Sequence, residues 1–199
     1  FKGDGSNLTG IDATTIKDSG GTVRVQGNTS GIVVTGVSTF SSTINGTAAS
    51  LSADATINSV TVGKGANSVS GNTVLGESAL DAATTGQNNT AIGSGSLSSN
   101  TTADKNTAVG YVALNANTTG HSNTAVGYIS LENTTTGEYN TAVGYGALQD
   151  NVTGGNNTAV GRNVLRDNTG NNNTGVGMNA MERMTTGDSN TAMGQNALF

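Results

Sequence analysis

The feature that most constrains this chain is a five-residue motif that returns at an almost constant interval. Variants of Asn-Thr-Ala-Val-Gly run through residues 72–199, and successive copies start 17, 17, 17, 17, 17, 16 and 17 residues apart. The Asn that opens each unit, called position one, is found at Asn72, Asn89, Asn106, Asn123, Asn140, Asn157, Asn173 and Asn190. Repetition at a short fixed period is typical of solenoids and fibrous arrays, in which each repeat packs only against its neighbours. We therefore expect an array of seven full units and a truncated eighth.

The unit has the consensus N-T-A-V-G-Y-x-A-L-x-x-N-T-T-G-x-x, which favours strands over helices. A helix needs about ten uninterrupted residues, whereas Gly at positions five and fifteen interrupts every candidate at a cost of roughly 1 kcal/mol each. Thr and Val favour a short strand, and Asn-Thr-Thr-Gly favours a turn because Asn and Gly tolerate positive φ. At about 3.3 Å per residue, one unit has a contour of about 55 Å, enough for two or three short strands. The predicted fold class is all-β, a parallel β-solenoid or β-roll of about eight 17-residue coils.

Two apolar columns, at positions four and nine, are predicted to form the core. Only 33% of the residues are apolar, so this core is expected to be thin and repeated along the array. Alternation along a strand then places Thr107 and Val109 inside and Ala108 and Gly110 outside, and Val126→Asp would bury a charge in the core. The predicted core residues are Leu75, Ile92, Val109, Val126, Val143, Val160, Val176 and Met193 at position four, and Leu80, Leu97, Leu114, Leu131, Leu148, Leu165, Met181 and Leu198 at position nine.

Small residues on the expected outer face suggest that copies of the chain associate. A solvated face normally carries polar or charged side chains, whereas Ala108 and Gly110 would allow another chain to approach closely. A closed cyclic oligomer, a homotrimer, would cover that face. The alternative is that Ala and Gly merely suit tight coils.

The first part of the chain has a different composition from the array. Residues 1–57 are expected to form an extended β stalk or connector, with strands at 22–26 and 32–40. Residues 58–71 are expected to be a transition or a degenerate first coil around Val-Thr-Val-Gly at 60–63. Because the first residue is Phe and not Met, we expect the chain to be a fragment of a longer protein.

Charge and composition argue against several classes of function. The net charge is −5 and no basic run occurs, which disfavours nucleic acid as a partner. No apolar run approaches the roughly 18 residues of a spanning helix, so no membrane insertion is expected. His121, the single histidine, is expected in a turn and Cys is absent, so a multi-histidine metal site cannot be assembled and no Ser-His-Asp triad is indicated. We expect no catalytic residues, no metal site and no cofactor.

Three columns raise alternatives between a structural and a binding role. The Asn column at position one could form amide ladders, as in cross-β stacks, or bind a ligand. Tyr111, Tyr128 and Tyr145 at position six could stack on one another or cradle a glycan ring. The Thr column at position two could match an ice lattice, but a Thr-x-Thr pattern would serve that purpose better. Structural roles are favoured for all three.

Carboxylates are considered separately because β-solenoid fibres can be polysaccharide depolymerases. Asp150 and Asp167 both lie at position eleven, 17 residues apart. A stacked pair could meet the separation of about 5–9 Å that glycosidases require. No aromatic cleft is expected around the pair, so we expect these acids to serve solubility and the chain not to be an enzyme.

The repeat "NTAVGYGAL…TTG" of residues 72–199 resembles repeats in tail-fibre proteins of tailed bacteriophages. The segments "GDGSNLTGI" (3–11) and "TSGIVVTGVSTF" (29–40) resemble connectors in fibres of phages that infect marine cyanobacteria. Shorter "AxAxG"-type repeats in the heads of trimeric autotransporter adhesins, which fold as parallel β-rolls, are also similar. The resemblance implies a homotrimeric fibre exposed on the virion, with other tail or fibre proteins and a host surface glycan or protein as further partners.

The expected function is a structural segment of a phage tail fibre, which projects the receptor-binding part or contributes to host attachment. The expected location is the virion, outside the cell. The main alternative is the head of a trimeric adhesin on a bacterial cell surface. An ice-binding solenoid and a polysaccharide depolymerase are less favoured alternatives.

Overall fold

The computed structural model describes residues 54–82 and 84–198, and for residues 55–57 the backbone only. In this part of the chain, ten strands form one sheet in which the strands follow chain order. The strands are β1 (Ala55–Ile57), β2 (Val60–Gly63), β3 (Thr73–Gly76), β4 (Thr90–Ile92), β5 (Thr107–Val109), β6 (Thr124–Val126), β7 (Thr141–Val143), β8 (Thr158–Val160), β9 (Thr174–Val176) and β10 (Thr191–Met193). A single 3₁₀ turn, Ala66–Ser68, lies between β2 and β3. The predicted stalk strands at 22–26 and 32–40, and the segments that resemble phage connectors, lie outside the described residues.

Strands β3 to β10 are parallel, and each residue pairs with the equivalent residue of the next coil. Backbone hydrogen bonds between coils continue beyond the strands, as from the Leu114 N–H to the Ser130 carbonyl at 2.9 Å. The predicted parallel β-solenoid is therefore confirmed. Each described coil contains one short strand, not two or three, because positive-φ residues at positions seven, nine and seventeen keep the remaining segment in turns.

The interior of the coil is lined by position three and not by position four. Ala108 is fully buried, whereas Val143 is 37% and Met193 73% exposed. The prediction that position four forms a core column is wrong for Leu75, Ile92, Val109, Val126, Val143, Val160, Val176 and Met193. Position three is Ala in most coils, Val74 in the first and Gly175 in the seventh, so small residues fill most of the interior behind the strand and the larger apolar residue of position four points outward. Val126→Asp would consequently place its charge on a half-buried outer face.

Position nine does contribute a continuous apolar core column. Leu80, Leu97, Leu114, Leu131, Leu148, Leu165 and Met181 are all fully buried. Leu198, in the last described coil, is 60% exposed. Together with the small residues at positions three and eight, this column fills the apolar half of the coil.

The side-chain volumes of two neighbouring coils complement each other at Val164 and Gly175. In the coil that contains β8, position eight is Val164, whereas the other coils have Ala or Ser there. In the next coil, position three is Gly175, whereas the others have Ala or Val. A Cβ atom on Gly175 would lie 2.5 Å from Cγ1 of Val164. The extra bulk of one residue is offset by the missing methyl of the other, which shows how closely the interior is packed.

Glycine at position five is required by the approach of successive coils. Gly110 has φ +143°, a conformation that side-chain-bearing residues rarely adopt. A Cβ atom there would collide with the carbonyl oxygen of Gly127, which is position five of the next coil. The recurrence of Gly in every unit therefore follows from the stacking itself.

The unit of 16 residues keeps the stack in register. Thr158 still pairs with Thr174 across this unit. The missing residue is a Thr of the Asn-Thr-Thr-Gly corner, and Asn168 still receives the Gly170 N–H at 3.2 Å and donates to the Gly170 carbonyl at 3.1 Å. The deletion is therefore absorbed in the corner turn and does not reach the strands.

A β-hairpin covers the first edge of the parallel stack. β1 pairs with β2 and β2 with β3, both antiparallel, with Thr61 opposite Gly76. The interpretation of 60–63 as a degenerate first coil is wrong, because a further coil would continue the parallel pairing. The Asp54 carboxylate accepts the Lys64 N–H at 2.6 Å and the Gly65 N–H at 2.5 Å, which fixes the turn after β2. Covering an edge in this way limits unwanted strand pairing.

Candidate functional site

Inside the coil, the asparagines of position one form a continuous hydrogen-bonded column. Oδ1 of Asn123 accepts the Asn140 N–H at 2.9 Å, and its Nδ2 donates to the Gly137 carbonyl at 2.7 Å. Direct bonds between the side-chain amides occur as well, for example from Asn140 Nδ2 to Asn123 Oδ1 at 3.1 Å. From Asn72 to Asn173 these side chains are buried and hydrogen-bonded, and Asn190 is half-buried, so the column acts as a structural ladder.

The outer face of the parallel strands presents two columns of β-branched and apolar side chains, which we call the Thr–Val strip. It consists of Thr73, Thr90, Thr107, Thr124, Thr141, Thr158, Thr174 and Thr191 at position two, with Leu75, Ile92, Val109, Val126, Val143, Val160, Val176 and Met193 at position four. Coils repeat about every 4.8 Å, and the two columns are about 7 Å apart. The strip is therefore a regular surface about 34 Å long.

Hydroxyl groups distinguish the strip from a second Thr column. Within residues 54–82 and 84–198, the strip threonines donate no side-chain hydrogen bond to the protein. By contrast, the hydroxyls of position thirteen are used between coils: Thr118 donates to the Thr135 carbonyl and Thr135 to the Val152 carbonyl, each at 3.2 Å. Of the two Thr columns, the one at position two is therefore the one whose hydroxyls are free for an external partner.

The three tyrosines of position six stack on one another at the side of the strip. Ring centroids of Tyr111 and Tyr128, and of Tyr128 and Tyr145, are 5.3 Å apart with interplanar angles of 15° and 8°. The Arg162 guanidinium lies 5.8 Å from the Tyr145 centroid, a distance typical of cation–π pairs. Because both faces of Tyr128 are covered, this Tyr ladder presents ring edges along most of its length. A sugar that stacks on an aromatic face finds no open face at Tyr128.

The two carboxylates of position eleven are both bound by neighbouring side chains, that of Asp150 from another coil and that of Asp167 from its own coil. Oδ1 of Asp150 accepts a hydrogen bond from Asn133 Nδ2 at 2.6 Å. Asp167 binds the Arg166 guanidinium at 2.7 Å, and Arg166 also reaches Glu182 of the next coil at 2.7 Å. The hydrogen bond to Asp167 raises the pKa of Arg166 above its ordinary value. These contacts support the stack, and no aromatic residue takes part in them.

His121 lies in a column of hydrogen-bond acceptors that the sequence analysis did not identify. At position sixteen, a side-chain acceptor receives the backbone N–H of the preceding coil: His121 Nδ1 receives that of Asp104 at 2.9 Å. Asp104 in turn receives the Gln87 N–H at 2.7 Å, and Asp188 receives that of Asn171 at 2.6 Å. The recurrence of Asp, His and Asn at this position was the signal available in the sequence. Bonded in this way, His121 has a structural role.

Two further properties concern only the described part of the chain. It contains no group of three or more His, Asp or Glu side chains placed to hold a metal ion. It also contains no helix long and apolar enough to cross a membrane.

Comparisons with protein-family models, with curated proteins and with solved structures gave no match.

Proposed function

We propose that this chain is a non-enzymatic structural segment of a phage tail fibre. Three copies of the chain form the segment, which is exposed on the virion. The observation that carries the proposal is the in-register stack of β3 to β10. Seven steps of about 4.8 Å give a rod of about 34 Å whose length is set by the number of coils. Such a stack suits a spacer that projects another part of a fibre or contributes to host attachment.

The side chains of the array support a structural role. The buried Asn column, the position-sixteen acceptors and the Arg166 contacts all join one coil to the next. Asp150 and Asp167, the pair considered for a depolymerase, are engaged with Asn133 and Arg166. Residues that vary from coil to coil lie on the outer turns, where other fibre proteins or a host glycan or protein would make contact. The resemblance of residues 72–199 to tail-fibre repeats adds the virion to this proposal.

Antibody labelling tests the proposed location. Antibodies raised against the array should decorate the tails of phage particles in electron micrographs. Labelling of uninfected bacterial cells instead would favour the alternative function, the head of a trimeric adhesin on a cell surface. Release of reducing sugars from host polysaccharide by the purified chain would contradict the non-enzymatic role.

A further inference from the structure

We propose that the Thr–Val strip is the surface through which three copies of this chain associate, parallel and with their coils in register. The inference rests on the homotrimer of the proposed function and not on its location on a virion. It also replaces the face first expected to mediate association, because Ala108 lies inside the coil.

The first argument is the exposure of apolar side chains on the strip. Each coil places the smaller residue of positions three and four inside and the larger apolar one outside, as with Ala142 fully buried beside Val143 at 37% exposure. The same arrangement recurs from Leu75 to Met193. A contiguous exposed apolar column with a polar rim is typical of an interaction surface.

Charge is the second argument, and it favours a copy of the same chain as the partner. The chain carries a net charge of −5, so two copies repel each other across most approaches. The strip contains no charged residue in any of its eight coils. Acids lie instead on other columns, such as Glu132, Glu138 and Asp150. Copies that meet through the strip keep these carboxylates apart.

The period of the array is the third argument. A partner with a different repeat would match the strip at one or two coils and then fall out of step. A parallel copy has the same period by construction, and it shares the corner deletion that keeps Thr158 in register with Thr174. A contact that is favourable in one coil is thus repeated along the whole strip.

Geometry favours three copies over two. Facing sheets pack about 10 Å apart, which places each sheet about 5 Å from a common axis. Three such planes enclose a triangle with sides of about 17 Å, close to the roughly 14 Å spanned by positions one to five. Each copy then contacts two others, and position two of one copy lies beside position four of the next.

Cysteine pairs test this arrangement in the full chain, which contains no Cys of its own. The variant Thr124→Cys with Val126→Cys should form a covalent trimer on mild oxidation, visible on a non-reducing gel. The matched control is Thr136→Cys with Glu138→Cys, which has the same spacing outside the strip and should stay uncrosslinked. Crosslinks between separate Thr107→Cys and Thr158→Cys chains would indicate an antiparallel pair and overturn the proposed register.

A charge on the strip supplies the second test. The sedimenting mass of the wild type should be about three times the 19.6 kDa of one chain. Val143→Asp should reduce this mass to that of a single chain, with the β-type circular dichroism retained because Val143 is 37% exposed in one copy. The control Val152→Asp, at a site 40% exposed outside the strip, should remain trimeric.

Each other outcome overturns the inference in a recognisable way. A trimer that persists in Val143→Asp and gives no crosslink would place the contact on another face. A wild-type monomer would exclude association, and thermal hysteresis from that monomer would assign the strip to ice. Labelling of phage tails is measured independently, so the location of the protein can be supported while the strip is rejected.

Discussion

At the scale of single residues, the asparagine of position one combines properties that no other side chain offers in the same place. In Asn123, the amide oxygen accepts the N–H of Asn140 and the amide nitrogen donates to the carbonyl of Gly137. An aspartate could accept but not donate, and it would bury a charge. A leucine could do neither. The occurrence of Asn in all eight units follows from this requirement, whereas the variable residues of positions ten and eleven lie outside the interior.

We expect Asn123→Ala to destabilise the array strongly. It leaves the Asn140 N–H and the Gly137 carbonyl without their partner in a dry interior, at roughly 1–3 kcal/mol for each buried group. The denaturant midpoint, followed by circular dichroism, should therefore fall clearly. Asn133→Ala is the control, because Asn133 is exposed and loses only a surface bond to Asp150. Equal shifts in the two variants would contradict the role of the column.

At the scale of the coil, the sequence predicts the period and the strand but not which face of the strand lies inside. Alternation separates positions two and four from position three, and both choices satisfy it. The recurrence of apolar residues at position four makes it the expected interior position. The structure places position three inside, where most coils have Ala and where Gly175 lacks room for a Cβ beside Val164. The interior location of the Leu column at position nine is predicted without knowing which face of the strand lies inside. The small residues next to it, at position eight, do not compete with Leu for the interior.

The candidate site shows the same limit of sequence reasoning. Stacking of Tyr111, Tyr128 and Tyr145 followed from their common position and is present. The Thr–Val strip was not predicted, because its existence depends on which face is outside. The role of His121 also depends on contacts with the preceding coil, which the period alone does not specify.

Packing between coils can be tested by a double-mutant cycle at Val164 and Gly175. Gly175→Ala alone should destabilise the chain, because the new Cβ meets Val164 Cγ1 at 2.5 Å and overpacking costs about 1–3 kcal/mol. Val164→Ala alone should also destabilise it by opening a cavity. The double variant restores the Ala-Ala combination of other coils and should be more stable than the sum of the single effects implies. Additive midpoint shifts in the cycle would contradict this complementarity.

At the scale of the whole molecule, the array is a one-dimensional stack in which each coil contacts only its neighbours. Its stability is then close to a sum of coil and interface contributions. The hairpin of β1 and β2 covers one edge, and after removal of a whole internal coil the two flanking coils can pair with each other in the same register. The Thr–Val strip continues through every coil, which links the length of the rod to the extent of contact between copies.

Removal of one coil therefore has a different consequence from removal of half a coil. Deleting residues 123–139 joins Ser122 to Asn140, which restores the order of positions seventeen and one. We expect this variant to fold, to keep its circular dichroism per residue and its trimeric mass, and to melt slightly below the wild type because one interface is lost. Deleting residues 123–130 instead joins Ser122 to Leu131, so the column residues of one coil no longer meet those of the next. That variant should lose β structure at temperatures where the full-coil deletion is folded. Equal thermal midpoints for the two deletions would show that register along the stack does not govern the fold.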